Sequence, residues 1–303
     1  MKIGVLGIGG IGGFIGAPLA RFYTKNQTEV EIVFICRGKT KTAVSEKGLI
    51  FHHDNKTEFL HPHLVSDNPN EIGELDVLIM ATKSYALIEA LEDFNLCLNS
   101  DSVVITLQNM VNSKDLIFNK FDKNLNLLEG CIYVASNIKA PGNIEHLGGS
   151  GKIFVGGVKE KNEHTELLSV MKAAGIDISY EEEILPVLWK KYLFVAPVAT
   201  ITTAYDVTFG ELLENKPLML ILEDMMKELR KLAISKGIKL TNKDIETALS
   251  LLSKFPFESK SSLQIDYEKN KPNEKEFLIN YVIEECIKED IHCPTYHQTN
   301  KLI

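Results

Sequence analysis

The sequence predicts an α/β domain built on a parallel sheet, followed by a mostly helical domain. The first half of the chain alternates short β-rich runs with helical patterns, an order typical of a parallel sheet covered by helices. After about residue 165 the apolar patterns have helical length or spacing, and few strand signals remain. At 303 residues the chain is long enough for two domains, each with its own core.

The first domain is predicted to comprise residues 1–165. Its β-rich runs are residues 2–6, 30–35, 77–81 and 103–107, and a strand-rich region follows at 127–157 with a turn at Pro141-Gly142. Helical spacing is found at residues 11–23 and 85–96. The run at 153–155, which two glycines follow, is predicted to close this domain.

The second domain is predicted to comprise residues 166–303. Its helical segments are residues 187–205, 217–236, 242–254 and 274–288. The uncharged part at 192–205 is shorter than the roughly 20 apolar residues that a helical membrane span needs. We therefore expect a buried helix, in which Pro197 removes a backbone donor and should cause a kink.

Composition limits the classes of function. The contents of 45% hydrophobic and 24% charged residues are those of an ordinary globular protein. A net charge of −8 argues against a nucleic-acid-binding surface. The five cysteines are scattered without a CxxC pair, and the apolar run at the N-terminus is too short for a signal peptide, so a cytoplasmic location is expected.

A glycine-rich turn, GIGGIGG at residues 7–13, follows the first predicted strand and opens a helix. Its spacing fits G-x-G-x-x-G, in which glycines permit a tight turn and let backbone N–H groups approach a pyrophosphate. This context predicts a Rossmann-type domain that binds a dinucleotide. The predicted cofactor-binding residues of the turn are Gly7, Ile8, Gly9, Gly10, Ile11 and Gly12.

The second β-rich run ends in Arg37, where an NAD site usually carries an Asp or Glu for the ribose 2′-hydroxyl. A guanidinium attracts a 2′-phosphate and bonds it in a fork, whereas a carboxylate would repel it. Glu29 and Glu31 lie too early in the strand to bind the ribose. The residues therefore favour NADP (NADPH), and the alternative is that Arg37 is a solvated loop residue.

Two adjacent lysines, Lys190 and Lys191, stand at the head of the uncharged segment 192–205. A lysine that only decorates a surface normally lies among polar residues, whereas one beside a desolvated cleft can take part in proton transfer. The residues alone leave the choice between the two lysines nearly even.

Several stretches, in order along nearly all 303 residues, together resemble the ketopantoate reductase (2-dehydropantoate 2-reductase) family. They are GIGGIGG at 7–13, CRG at 36–38, ATKSY at 81–85, LQNMVN at 107–112, LWKK at 188–191, KSSLQID at 260–266 and PNE at 272–274. The resemblance implies an NADP-binding Rossmann domain followed by an all-helical domain similar to the C-terminal half of 6-phosphogluconate dehydrogenase. The active site would lie in the cleft between them.

The resemblance also implies an activity and the residues that carry it. Members of the family reduce a 2-oxo acid to a 2-hydroxy acid with NADPH on the route to pantothenate. By position, the cofactor would be contacted by Arg37 and Lys83, at its phosphate or ribose, and by Asn109 and Ser136. The substrate would be bound by Asn109, Lys191 and Ser262. The catalytic proton donor would be Lys191, with Glu274 as its acidic companion. The partner is a small 2-oxo acid, no metal is expected, and a homodimer is an open possibility.

Three positions depart from the family pattern. Residues 191, 195 and 199 share one helix face, and the family's usual asparagines after the lysine are replaced by Val195 and Ala199. A third polar position, before Gly210-Glu211, is held by Phe209. A site without such partners should discriminate weakly for a substrate hydroxyl. Three functions stay open: reduction of ketopantoate, reduction of a more apolar 2-oxo acid, or a non-catalytic NADP-binding sensor.

The histidine-rich segment 52–63 could suggest a metal site, because His52, His53, His61 and His63 lie close in sequence. The Asp54-Asn55 step between apolar runs instead favours a hairpin turn at the surface. No metal site is therefore predicted here.

Overall fold

The computed structural model describes residues 1–26, 29–121, 125–157 and 161–303. These residues form two compact units. The first contains Met1–Thr82, Ala86–Gln108 and Asn112–Ile184, and the second contains Lys83–Tyr85, Asn109–Val111 and Leu185–Ile303. The main segment of the second unit begins at Leu185, and one helix and one strand lie between residue 165 and this point. The domain boundary after residue 165 stays a prediction.

The first unit contains all twelve strands found in the described part of the chain. They are β1 (Lys2–Leu6), β2 (Glu31–Ile35), β3 (Leu49–His53), β4 (Lys56–Leu60), β5 (Leu64–Ser66), β6 (Val77–Met80), β7 (Val103–Thr106), β8 (Asn126–Ile132), β9 (Ala135–Ala140), β10 (Asn143–Gly148), β11 (Ile153–Gly157) and β12 (Ile178–Tyr180). Its helices are α1 (Gly10–Tyr23), α2 (Gly38–Lys47), α3 (Pro69–Ile72), α4 (Leu87–Asp93), α5 (Ser113–Phe118) and α6 (Thr165–Ala173).

Eight strands form one sheet in the order β12-β11-β8-β7-β6-β1-β2-β5. The six strands from β8 to β5 are parallel to their neighbours, and β11 is antiparallel to β8. The chain runs outward from β1 through β2 to β5 and then crosses back to β6 on the other side of β1. The predicted parallel sheet is confirmed, and its strand order reverses between β1 and β6, the place where open α/β sheets bind ligands.

The core of the first unit surrounds this sheet. Every residue of β6 and β7 is buried, as expected for parallel strands covered on both faces. Helix α1 contributes Ile15 and Leu19, both fully buried, to the same core. The glycine turn between β1 and α1 is therefore anchored on both sides.

Four further strands form a second sheet in the order β4-β3-β10-β9. The predicted hairpin is confirmed: β3 and β4 pair antiparallel, and Asp54 and Asn55 between them have φ angles of 46° and 58°. Such positive values at both central residues are those of a tight hairpin turn. Among the residues that the structure describes, no group of three or more His, Cys, Asp or Glu side chains could hold a metal ion.

The regular secondary structure in the described residues of the second unit is helical. Its helices are α7 (Ile184–Tyr205), α8 (Phe209–Glu214), α9 (Lys216–Ser235), α10 (Asn242–Leu251), α11 (Ser262–Glu268), α12 (Tyr281–Lys288) and α13 (Pro294–Asn300), and a π-helical turn at Glu276–Asn280 precedes α12. An α/β domain followed by a helical domain is thus confirmed.

Helix α7 is longer than the predicted segment and runs through Pro197. By length and composition it is the one helix in the described residues that could cross a membrane, but 61% of its most apolar window is buried. Such burial is typical of a core helix in a soluble protein. Thr200 and Thr203 donate their hydroxyls to the carbonyls of Ala196 and Ala199, which satisfies polar groups within the helix. The kink at Pro197 stays a prediction.

Candidate active site

The glycine turn lies where the strand order reverses. Gly7 has φ +93°, and a Cβ there would lie 3.1 Å from the backbone of Ala81, just beyond β6. A Cβ on Gly12 would lie 2.0 Å from the carbonyl oxygen of Gly7. Because a backbone carbonyl cannot move aside cheaply, both positions require glycine. The turn thus has the close strand-to-helix packing that a dinucleotide fingerprint needs.

Helix α1 starts directly after this turn. Its N-cap is Gly9, which has no side chain to occupy the free N–H groups of the first helical turn. Those amides and the positive end of the helix dipole suit a pyrophosphate. Ser136 lies beside the turn, because its carbonyl oxygen is 2.4 Å from the place a Cβ on Gly10 would take. The residues of the turn therefore fit a dinucleotide, and the individual contacts of Ile8, Ile11 and Ser136 with it stay predictions.

Arg37 is the N-cap residue of helix α2, two residues after β2 ends. Its guanidinium donates to Asp93 Oδ2 at 2.5 Å and lies 5.9 Å from the ring centre of Phe94. The side chains of Arg37 and Asp93 are 58% and 42% exposed, so this ion pair contributes little to stability. A guanidinium has five N–H donors, which leaves several for a phosphate.

The two adjacent lysines of α7 have different surroundings within the second unit. Lys191 is half-buried, and its Nζ donates to Asn109 Oδ1 at 2.6 Å. Lys190 is 53% exposed, and its Nζ lies 3.4 Å from Asp244 Oδ1 near the start of α10. Successive residues of a helix point about 100° apart, which explains the difference. Lys191, which is hydrogen-bonded to the side-chain amide of Asn109, is the lysine that the family resemblance predicts to be the proton donor.

A buried carboxylate, that of Glu274, lies two residues before the π-helical turn. Glu274 is 4% exposed, and its Oε1 accepts hydrogen bonds from the amide and hydroxyl of Ser84 at 3.0 and 2.6 Å. Its Oε2 lies 3.4 Å from the Nζ of Lys83, which also donates to Asp266 Oδ2 at 2.7 Å. One cation and one hydroxyl thus hold the carboxylate in a single orientation.

Lys83 is a permanent cation at neutral pH. Burial by itself would lower the pKa of Lys83, but the charges of Glu274 and Asp266 and their hydrogen bonds outweigh it and raise that pKa above its usual value. A lysine held so firmly in its charged form is suited to fix carboxylates rather than to give up a proton. Its predicted contact with the cofactor stays a prediction.

The structure brings together Lys191 with Asn109 and Lys83 with Glu274. Ser84 and Asp266 also belong to this set, and the sequence analysis assigned them no role although both lie inside the quoted stretches ATKSY and KSSLQID. Their neighbours across the fold could not be deduced from spacing, because about 190 residues separate Ser84 from Glu274.

Ser262 is the exposed first residue of α11. The preceding Ser261 is buried and caps this helix by accepting a hydrogen bond from the amide of Gln264. Its Oγ also lies 2.9 Å from Thr202 Oγ1 on α7. Ser261 is therefore the serine that caps α11 and contacts α7. Ser262 stays the serine predicted, by the resemblance, to contact the substrate.

The three apolar replacements differ in exposure. Val195, one turn beyond Lys191 on α7, is half-buried, whereas Ala199 is 3% exposed. Phe209 is 6% exposed and packs edge-on against Phe255, with ring centres 5.2 Å apart. Of the three positions, Val195 is the one with an accessible side chain.

Fold and site together define a class of protein. An open parallel sheet with a glycine turn at its switch point binds a dinucleotide, and a lysine held by an amide is suited to proton transfer. The protein is therefore an oxidoreductase that uses a nicotinamide dinucleotide. It belongs to the ketopantoate reductase family: the ketopantoate reductase PanE/ApbA profile matches residues 3–160, and the profile of the C-terminal domain matches residues 183–303. NADPH is the cofactor of this family, and the protein is an NADP-dependent oxidoreductase.

Relatives and solved structures agree with this membership. An uncharacterized oxidoreductase, YkpB, of Bacillus subtilis (strain 168) is 26% identical over 97% of this chain and 95% of its own. The 2-dehydropantoate 2-reductase of Pyrococcus horikoshii is 26% identical over 94% of this chain and 90% of its own.

Among solved structures, a PanE/ApbA family ketopantoate reductase from Ralstonia eutropha JMP134 has a TM-score of 0.89 at 21% identity, and covers 100% of this chain and 97% of its own. D-mandelate dehydrogenase with NADH and anilino(oxo)acetate has a TM-score of 0.88 at 20% identity with the same coverage. These two likenesses show a shared fold.

Proposed function

We propose that the protein reduces 2-dehydropantoate (ketopantoate) to pantoate with NADPH, a step of pantothenate biosynthesis. The observation that carries the proposal is the 2.6 Å hydrogen bond from Lys191 Nζ to Asn109 Oδ1, because it fixes the predicted proton donor against a residue predicted to face both substrate and cofactor. Family membership supports the reaction class.

The proposed mechanism follows from the charge that develops during reduction. When bound, NADPH supplies a hydride to the carbonyl carbon. Negative charge then builds on the carbonyl oxygen, and the ammonium of Lys191 stabilises it and donates a proton to it. An ammonium has three N–H donors, and the bond to Asn109 uses one of them to orient Nζ.

Glu274 has a supporting part in this proposal. Its two oxygens are held by Ser84 and Lys83, and Asp266 shares the same lysine. We infer that this network fixes the residues after β6, which the resemblance places near cofactor and substrate. Removing this buried carboxylate would leave the Ser84 amide without its partner and Lys83 with Asp266 as its remaining carboxylate.

The direct test mixes purified protein with NADPH and ketopantoate, and follows the absorbance of the reduced nicotinamide. Turnover at millimolar substrate supports the proposal. Absence of turnover with ketopantoate, together with turnover of other branched 2-oxo acids, would contradict this substrate and support the second candidate.

The second candidate is a reductase of a more apolar 2-oxo acid. It is favoured by Val195, Ala199 and Phe209, which remove three groups that could bond a substrate hydroxyl. The structural neighbour D-mandelate dehydrogenase shows that a protein of this fold can act on an aromatic hydroxy acid. The two candidate functions can be distinguished by one chemical group of the substrate, the hydroxyl of ketopantoate.

The test compares the activity of the protein on two substrates. They are ketopantoate and its analogue 3,3-dimethyl-2-oxobutanoate, which lacks only the hydroxyl. In the second candidate, the wild type has similar kcat/KM for both. Val195→Asn should then raise the preference for ketopantoate by about 10- to 100-fold, because it restores one hydrogen bond to the hydroxyl. The measurement is the ratio of the two kcat/KM values.

The matched control is Val195→Ala, which changes the size of the same side chain without adding a polar group. It should leave the ratio near its wild-type value. An equal change of the ratio in both variants would show that space, not hydrogen bonding, decides the preference. A strong wild-type preference for ketopantoate would return the assignment to the first candidate.

Location and assembly remain proposals. All five cysteines are buried, which supports a reducing compartment such as the cytoplasm. A homodimer is the proposed assembly, and light scattering of the purified protein would measure it.

A further inference from the structure

The π-helical turn at Glu276–Asn280 is connected to the helix that carries Lys191. Tyr192, the next residue of α7, is 2% exposed and donates its hydroxyl to the carbonyl oxygen of Phe277 at 2.5 Å. Its ring also packs against that of Tyr281, directly after the turn, with ring centres 6.3 Å apart. One side chain of α7 therefore contacts both the π-helical turn and the first residue after it.

Glu274 lies two residues before the π-helical turn and is hydrogen-bonded to it. The carbonyl oxygen of Glu274 accepts hydrogen bonds from the amides of Phe277 and Leu278, each at 3.0 Å. A π-helical turn is rare and costly, and it persists where surrounding contacts hold it, often at functional sites. The bond from Tyr192 to Phe277 thus fixes the backbone that fixes Glu274.

We infer that Tyr192 is a positioning residue, which keeps Glu274 in register with Lys191 by holding the π-helical turn against α7. Lys191 and Tyr192 are neighbours on one helix, so any shift of the turn relative to Tyr192 is a shift relative to Lys191. Burial raises the pKa of Tyr192 far above its usual value, so its hydroxyl stays protonated and acts as the donor at every working pH. This inference rests on the proposed reductase function.

The test variant is Tyr192→Phe, which removes one hydroxyl and keeps the ring. The second unit offers a matched control in Tyr296→Phe. Tyr296 is also fully buried, but its hydroxyl has no hydrogen-bond partner among the described residues. Both variants lose the same group from a buried tyrosine, and only the first loses a bond to the π-helical turn. Circular dichroism and thermal midpoints of both variants check that each is folded.

We expect Tyr192→Phe to lower kcat by about 10- to 100-fold, because small displacements of catalytic groups have effects of this size. KM for NADPH should change little, and the alkaline limb of the pH profile of kcat/KM should move, since the surroundings of the proton donor have changed. Hydrogen exchange at residues 275–281 should become faster. Tyr296→Phe should change none of these quantities.

The outcomes separate this inference from the function on which it rests. An active wild type, with an unmoved pH limb and unchanged exchange in Tyr192→Phe, overturns the positioning role and leaves the reductase function intact. A wild type that binds NADPH but reduces no 2-oxo acid overturns both. A loss of kcat that is equal in Tyr192→Phe and Tyr296→Phe also overturns the positioning role, because it would reflect buried packing alone.

Discussion

Replacing Lys191 by alanine is expected to lower kcat/KM for the 2-oxo acid by about 10²- to 10⁴-fold, the usual contribution of a positioned proton donor. The variant removes the only group that the proposal uses to protonate the developing alkoxide. Asn109 then keeps its amide but loses the ammonium that it orients. Steady-state kinetics with saturating NADPH measures the effect.

The affinity for NADPH should largely survive in Lys191→Ala, as measured by fluorescence titration of the reduced cofactor. The matched control is Lys190→Ala, which removes the adjacent lysine and the same charge. Lys190 is exposed and pairs with Asp244, so the control should retain nearly full activity. Equal losses in the two variants would contradict the assignment of Lys191.

A non-catalytic NADP-binding sensor would give a third pattern. The wild type would bind NADPH tightly and reduce no 2-oxo acid, and Lys191→Ala would change nothing. Family membership and the Lys191–Asn109 pair both weigh against this pattern.

Features that depend on local chain geometry could be predicted from the sequence. The glycine turn, the parallel strands around it and the Asp54-Asn55 hairpin each rest on spacing or on residues that tolerate positive φ. Such signals lie within a few residues of the structure that they form, and no distant partner has to be known.

Features that depend on distant partners could not be predicted from residues alone. Lys190 and Lys191 differ in position by one residue, and only the fold pairs one with Asn109 and the other with Asp244. The second sheet was likewise missed as a separate layer, because β3 pairs with β10, about 90 residues later in the chain. The π-helical turn has no sequence pattern that distinguishes it from the α-helix predicted at 274–288.

The second large effect concerns the choice between NADPH and NADH. Arg37→Ala should raise KM for NADPH by about 10- to 100-fold, the value of charge-assisted hydrogen bonds to a phosphate. KM for NADH should change little, because NADH has a hydroxyl where NADPH has the 2′-phosphate. The preference for NADPH should also weaken with added salt in the wild type, since Arg37 is 58% exposed and its charge is screened.

Asp93→Asn is the control that separates the two roles open to Arg37. If the guanidinium serves only its ion pair with Asp93, both variants lose the same contact and should behave alike. If it binds the 2′-phosphate, Asp93→Asn frees a guanidinium from a competing carboxylate and should keep or lower KM for NADPH. Equal effects of Arg37→Ala on NADPH and NADH would place the phosphate elsewhere, because a contact to the 2′-phosphate cannot act on a cofactor that lacks it.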